Sequence, residues 1–394
     1  MTLSHHFSNR AQFLKPNAIR AIGKRAANPD IIKFTAGNPS PTIFPVETIK
    51  AQTACVLDKY GPDALQYGQT EGFRPLRELI ASRTLHTNPD DVLIISGSQQ
   101  GIDLTCKLLL DPGDKVVVAA PTYTGALSTF RLYGAQFLDV ACDNEGMLPD
   151  SLEAALQQSP TLIYCIPNFM NPTGVDMSRE RRQAVVDLAR QYNVPILEDD
   201  PYGELRFVGQ PCQSLYELAP EQVIYLGSYS KILAPGLRLG WLLAREELMF
   251  PLVNAKQASD LQSPTFTQML VYEVSQSGFL AEQIDRLRRF YHQQRNHLLE
   301  AVNQHFPAEI IYHPPAGGFF LWCELPPGQD ATLLVEEALR AGVAYVPGRP
   351  FFAHDNGHNT LRLSYSSVPL EEMEEGILRL ASVLRQALGR ASYK

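Results

Sequence analysis

Between residues 92 and 243 the chain keeps returning to one pattern, a short apolar run followed by a stretch of helical periodicity. The runs are Val92-Leu93-Ile94-Ile95, Val116-Val117-Val118-Ala119, Phe137-Leu138-Asp139-Val140, Leu162-Ile163-Tyr164-Cys165-Ile166, Pro195-Ile196-Leu197-Glu198, Val223-Ile224-Tyr225-Leu226 and Leu239-Gly240-Trp241-Leu242-Leu243. Most are apolar almost throughout, as strands must be when both faces of their sheet are covered. Helical stretches such as Gly101 to Leu110 and Arg179 to Tyr192 lie between them. This alternation predicts an α/β fold, with a mostly parallel seven-stranded sheet flanked by helices.

A chain of 394 residues is too long for one simple core. After about Asp285 the texture changes. A long charged helical stretch, Ile284 to Ala301, precedes strand-like Gly318-Phe319-Phe320-Leu321-Trp322 and Thr360-Leu361-Arg362-Leu363-Ser364. A last helix starts near Pro369, a residue suited to a first turn, and carries the stripe Met373, Ile377, Leu380 and Leu384. The expected division is a large domain over 46–285 and a smaller α+β domain over 286–394 joined by an N-terminal arm, 1–45. The arm carries a helix signal at Lys15 to Arg20 and is expected to pack on the C-terminal domain or on a partner subunit.

The net charge is -8, without a basic block, which argues against nucleic acid and anionic membrane as partners. No apolar run approaches the length of a membrane span, and the polar start does not resemble a secretory signal. The six cysteines are scattered, as expected of reduced thiols in a cytoplasmic protein. His354 and His358 flank a turn, Asp355-Asn356-Gly357, which disfavours a metal pair.

Polar clusters follow the strands, where ligands of open α/β sheets bind. One cluster is Ser228-Tyr229-Ser230-Lys231, with Arg238 close behind. Hydroxyls and a fixed guanidinium suit a phosphate. A lysine beside them suits an aldehyde that carries its own phosphate, namely pyridoxal phosphate held as a Schiff base. The plainer alternative is a surface lysine in a polar loop. Gly97-Ser98-Gln99-Gln100-Gly101 joins a strand to a helix and offers backbone donors to an anion. Asp199 and Tyr202 follow a buried strand. A carboxylate there suits a protonated pyridine nitrogen, and Tyr202 or Asn171 suits the ring's phenolic oxygen. Tyr123 is placed to stack on the ring. Helix capping by Asp199 and a plain turn at Asn171 are the competing readings. Arg362 lies in an apolar strand, where its fork matches a carboxylate; a structural ion pair is the alternative.

Ser-x-Ser-Lys with an arginine seven residues on, preceded in order by Asn171-Pro172-Thr173-Gly174 and by Asp199-x-x-Tyr202, resembles the fold type I pyridoxal-phosphate enzymes. Within them the chain resembles the class I/II aminotransferases, in the branch of the α-aminoadipate and kynurenine aminotransferases and the aminotransferase-like half of GntR-type regulators. The resemblance runs from Lys15 to the C-terminal helix. It implies that Lys231 holds the cofactor covalently and that Asp199 faces the pyridine nitrogen. Asn171 and Tyr202 would face the phenolic oxygen, while Ser98, Gln99, Ser228 and Arg238 would bind phosphate. Tyr123 would stack on the ring and Arg362 would bind the substrate α-carboxylate. Tyr67 matches a tyrosine that reaches the other subunit's phosphate, which implies a homodimer with shared sites. Asn38 falls in a loop near the substrate, and Arg20 matches an arginine that closes over the substrate side chain.

The implied activity is ping-pong transfer of an amino group from an α-amino acid to a 2-oxo acid. A β-lyase on the same scaffold is the nearest alternative. A cofactor-binding sensor without turnover is another, although the chain starts almost at the aminotransferase body, without the regulators' DNA-binding segment.

Overall fold

The computed structural model describes residues 6–14, 18–83 and 87–391. In chain order its first strands are β1 (Ile32–Lys33), β2 (Val92–Ile95), β3 (Lys115–Ala120), β4 (Gln136–Asp143) and β5 (Gly146–Met147). They are followed by β6 (Leu162–Cys165), β7 (Ile196–Asp200), β8 (Val223–Ser228) and β9 (Gly240–Leu243). The remaining strands are β10 (Ile311–Tyr312), β11 (Phe320–Glu324), β12 (Val343–Ala344), β13 (Val346–Pro347) and β14 (Thr360–Ser364).

The main sheet runs β2-β9-β8-β7-β6-β3-β4-β5. All seven apolar runs form strands. The eighth, β5, is a two-residue antiparallel addition at the edge, too short to leave an apolar run in the sequence. The pairs joining β4, β3, β6, β7 and β8 are parallel. β9 is antiparallel to both β8 and β2. A parallel link needs a crossover of a dozen or more residues. Between β8 and β9 there is only the 3-10 turn Pro235–Leu237, so the chain returns antiparallel. Val116, Val117 and Val118 of the interior strand β3 are wholly buried, as a sheet covered on both faces requires. β4, one strand from the edge, has only Val140 buried.

A second, antiparallel sheet runs β10-β11-β14-β13. Helix Leu370–Ala391 packs its predicted stripe into the core there: Met373, Ile377, Leu380 and Leu384 are buried together. Helix Phe279–His305 serves both cores. Leu280, Ile284, Leu287 and Tyr291 join the core of the main sheet, whereas Leu298, Ala301 and Val302 join the second. The N-terminal segment packs on the second core, with β1 parallel to β12 and Ile32 and Phe34 buried against its helices. The helix predicted in the arm spans Ala18–Arg25; Lys15 to Asn17 lie outside the described residues.

Candidate active site

The loops after β2, β3, β6, β7 and β8 meet the segment Thr35–Asn38, helix Ala18–Arg25 and strand β14 around a cavity of about 680 Å³. Twelve of the thirteen residues singled out from the sequence line it: Arg20, Asn38, Ser98, Gln99, Tyr123, Asn171, Asp199, Tyr202, Ser228, Lys231, Arg238 and Arg362. Tyr67 does not; it is 78% exposed.

One end of the cavity is built for an anion. Gly97 caps helix Ser98–Leu109 with φ +86, a left-handed backbone that favours glycine. Its bare Cα also makes room, because a Cβ there would sit 2.9 Å from the Arg238 guanidinium. Arg238 itself takes a left-handed φ of 49, unusual for a residue with a Cβ, and its Nη2 donates to the Ser96 carbonyl at 2.9 Å. The first N–H groups of the helix have no partner within it and point toward this end. Ser228 Oγ accepts from the Ser230 backbone at 3.1 Å. The Gln99 side chain is turned away from an anion. Its Nε2 donates to Thr129 Oγ1 at 2.7 Å and its Oε1 accepts a long bond from Tyr123, so its backbone N–H is the group left for a ligand.

Three consecutive carboxylates end β7, and strand alternation sorts them. Glu198 turns away from the cavity and accepts from the backbone of Leu215 and Tyr216 at 3.1 and 2.8 Å. Asp200 also turns away, accepting from Gly203 N and the Tyr225 hydroxyl. Burial pushes Glu198 up to about 8 and raises Asp200 as well. Asp199 alone faces the cavity. Its Oδ2 accepts from the Tyr164 hydroxyl at 2.9 Å, and its Oδ1 is buried with no partner among the described residues. Burial pushes its carboxyl up to about 7, against the pull of Tyr164. It ends a strand and caps no helix.

Lys231 is half-buried, not a surface lysine. Its Nζ donates to the Gly37 carbonyl at 3.0 Å and lies 5.9 Å from the centre of the Tyr202 ring. Burial, then the Arg238 and Arg362 charges, push its amine down to about 8. Tyr202 is buried edge-on against Phe319 and Phe320.

At the other end Arg362 is almost fully buried between Phe320 and Phe351, 4.2 and 5.0 Å from their ring centres. It donates to Asn171 Oδ1 at 2.8 Å and to the Thr35 carbonyl at 2.7 Å. Both partners are neutral, and Nε is buried without one, so the structural ion pair is not what holds it. Burial pushes this guanidinium down to about 10. Arg20 stands at the exposed mouth on helix Ala18–Arg25, whose Ile19 packs beside Trp322 and Phe351.

Sequence reasoning missed Tyr164, the carbonyls of Thr35 and Gly37, and the aromatic faces around Arg362. Carbonyls carry no signal in a sequence. Tyr164 had one, a phenol in an apolar strand, but its partner depends on the register of β6 with β7.

The sequence profile of the aminotransferase class I and II family matches residues 29–380. An aromatic-amino-acid aminotransferase of Thermococcus litoralis is 41% identical, with 97% of this chain and 95% of that one aligned. The structure of a kynurenine aminotransferase from Pyrococcus horikoshii, in complex with PMP, superposes with a TM-score of 0.95 at 38% identity over 98% of each chain. The α-aminoadipate aminotransferase of Thermus thermophilus, complexed with N-(5'-phosphopyridoxyl)-L-leucine, superposes at 0.93 with 41% identity over 99% of this chain and 100% of that one. Likeness of this extent, across the cavity and both cores, identifies a family and not merely a fold: the chain belongs to the class I and II aminotransferases and is a pyridoxal-phosphate-dependent transaminase.

Proposed function

We propose that the cavity holds pyridoxal phosphate with its phosphate at Arg238 and its ring nitrogen at Asp199, and that Arg362 receives the carboxylate of an amino acid with a long acidic or aromatic side chain. One observation carries this reading. Ser98 Oγ, Asp199 Oδ1 and Arg362 Nε are buried polar atoms without partners among the described residues, and all three belong to residues lining the one cavity. Such atoms are costly unless a ligand completes them. A hydroxyl, a carboxylate and a guanidinium match a phosphate, a cationic ring and a substrate carboxylate.

Bound there, pyridoxal phosphate supplies an aldehyde that condenses with amines and a ring that accepts the electron pair of a broken Cα–H bond. The protein's residues do the rest. Arg362 grips the substrate carboxylate and so orients the Cα–H bond. Asn171, already bonded to Arg362, and Tyr202 face the middle of the cavity, where the phenolic oxygen would lie. Tyr123 covers one face of the ring. Lys231, with its amine pushed down to about 8, is neutral in about a tenth of molecules at neutral pH, far more than an ordinary lysine, and in that form takes a proton and returns it to a neighbouring carbon. The aromatic walls and Ile19 exclude water from that transfer.

Arg20 at the mouth suits either a distal carboxylate or an aromatic ring. The relatives named above act on aromatic amino acids, kynurenine and α-aminoadipate, which supports that substrate range. Asn38 lines the same side. Tyr67 is exposed, and so are the apolar Val46, Leu57 and Leu65 in the same stretch of chain. A homodimer that covers them and shares Tyr67 between sites follows from this reading. All six cysteines are unpaired, in keeping with a reducing compartment such as the cytoplasm.

The test is an absorbance screen of single half-reactions. Enzyme loaded with cofactor is mixed with each common amino acid, with aminoadipate and with kynurenine. Conversion of the bound cofactor to its amine form is expected for long acidic and aromatic substrates. Release of ammonia and pyruvate without the amine form would assign a lyase, and no spectral change with any amino acid would assign a sensor.

A further inference from the structure

We propose that Tyr164 is a positioning residue for transamination: its hydroxyl fixes the Asp199 carboxylate so that Oδ1 is the oxygen presented to the cofactor's ring nitrogen. The proposal rests on the assignment of Asp199 to that nitrogen.

A carboxylate turns easily about its terminal torsion. Ser98 is close enough to lower the Asp199 carboxyl, but to a smaller extent than Tyr164, and Oδ1 has no well-formed hydrogen bond among the described residues to stop this. The bond from Tyr164 to Oδ2, 2.9 Å long, therefore sets the plane. Both side chains are buried, so water does not compete for either oxygen. The sheet fixes the approach. Tyr164 lies opposite Leu197 in the parallel register of β6 and β7. Leu197 and Asp199 are two apart, hence on one face, and the phenol reaches along that face to the carboxylate. The tyrosine ring is held edge-on against Phe130 at 5.5 Å. Burial and the Asp199 charge raise the Tyr164 phenol well above its usual range, so it stays a donor throughout the working pH.

The other ionisable groups around Asp199 do not substitute for this bond. Lys231 contributes charge from across the cavity, Ser98 a weaker hydroxyl than Tyr164, Tyr123 and Tyr202 feel the Asp199 charge as neutral phenols, and Asp200 follows on the backbone. A donor fixed at Oδ2 also favours the ionised carboxylate, the form a cationic ring requires.

The test compares the parent enzyme with Tyr164→Phe, which keeps the ring and removes the donor. Cofactor is resolved from each purified protein and pyridoxal phosphate is titrated back, with affinity read by absorbance across pH 6 to about 9. Tyr164→Phe is expected to bind about tenfold or more weakly near pH 7, with the deficit shrinking as pH rises and Asp199 ionises without help. In an Asp199→Asn background the same substitution should change affinity by less than about twofold, because the coupling is gone. Tyr164→His, which retains a ring N–H, is expected to recover most of the loss and serves where Tyr164→Phe folds poorly. A pH-independent deficit that persists in the Asn background would assign Tyr164 to packing alone and overturn the proposal. Unchanged affinity in Tyr164→Phe beside a clear loss in Asp199→Asn would overturn it too. Unchanged affinity in Asp199→Asn would instead overturn the underlying assignment.

Discussion

Two arginines mark the two ends of one cavity, and they are held in opposite ways. Arg238 is exposed, adopts a left-handed backbone and makes one hydrogen bond, to a carbonyl in the turn it faces. Arg362 is buried in a strand, clamped by two rings and two neutral acceptors. In the proposed reading, the first end gathers backbone donors and hydroxyls for the cofactor's phosphate, which stays bound through many turnovers, and the second keeps a desolvated charge for a carboxylate that arrives and leaves in every one. A desolvated guanidinium gains more from an incoming carboxylate than a hydrated one does. The contrast suggests that affinity for the cofactor and affinity for the substrate can be damaged separately.

The largest effect is expected between the two ends. Lys231→Ala should lower turnover by about 10³-fold or more and remove the visible band of the bound cofactor. A band of unchanged position and intensity would show that this amine is not the attachment point. Next come the arginines themselves. Arg362→Leu should lower kcat/KM for amino acids by about 10²-fold or more, through KM foremost, while pyridoxal phosphate affinity stays within about twofold. Arg238→Leu should do the converse, weakening pyridoxal phosphate by about tenfold or more with a smaller change in KM. If either substitution moves both ligands equally, the two ends are not independent and the comparison breaks.

A pH measurement sharpens it. The Lys231 amine must be neutral to attack an aldehyde, and its folded-state value is lowered from 10.5 to about 8. Uptake of pyridoxal phosphate by cofactor-free protein should therefore rise about tenfold per pH unit below that value and level off above it. Both arginines push the amine in the same direction, so the plateau should begin at higher pH in either leucine variant. Stopped-flow absorbance across pH reads this, and a plateau that stays in place would leave burial as the sole cause. The smallest effect belongs to the mouth. Arg20→Ala should change kcat/KM by about tenfold or less, and unequally between acidic and aromatic substrates. An equal loss for all amino acids, alanine included, would move Arg20 from side-chain recognition to support of the helix.

Much of this site was legible in the sequence because the ends of parallel strands fall in a fixed place. Once the apolar runs at 162–166, 195–198 and 223–226 are read as neighbouring parallel strands, the polar residues after each must converge; the run at 92–95 joins them through β9. The choice of Asp199 over Glu198 and Asp200 was also available in outline, since successive residues face opposite sides. Other features were not legible. The sequence points to Gln99 without saying which of its groups is free; the side chain bonds Thr129 on a neighbouring helix, which leaves the backbone N–H. Tyr67 reads as a residue of a second subunit's site, and in keeping with that it is exposed and lines no part of the cavity of its own chain.

The candidate lysine, the glycine turn at the helix start and the parallel order of the main strands were set by residues close in the chain, whose local geometry is fixed by strand, turn and helix start. Tertiary structure alone decided which atoms are left unsatisfied. Arg362 meets Asn171 and Thr35, and Tyr164 meets Asp199, across separations that no local pattern encodes. Those meetings depend on how two sheets and an N-terminal segment pack. Burial there removes water from polar groups, and only packing determines which of them find a protein partner and which await a ligand.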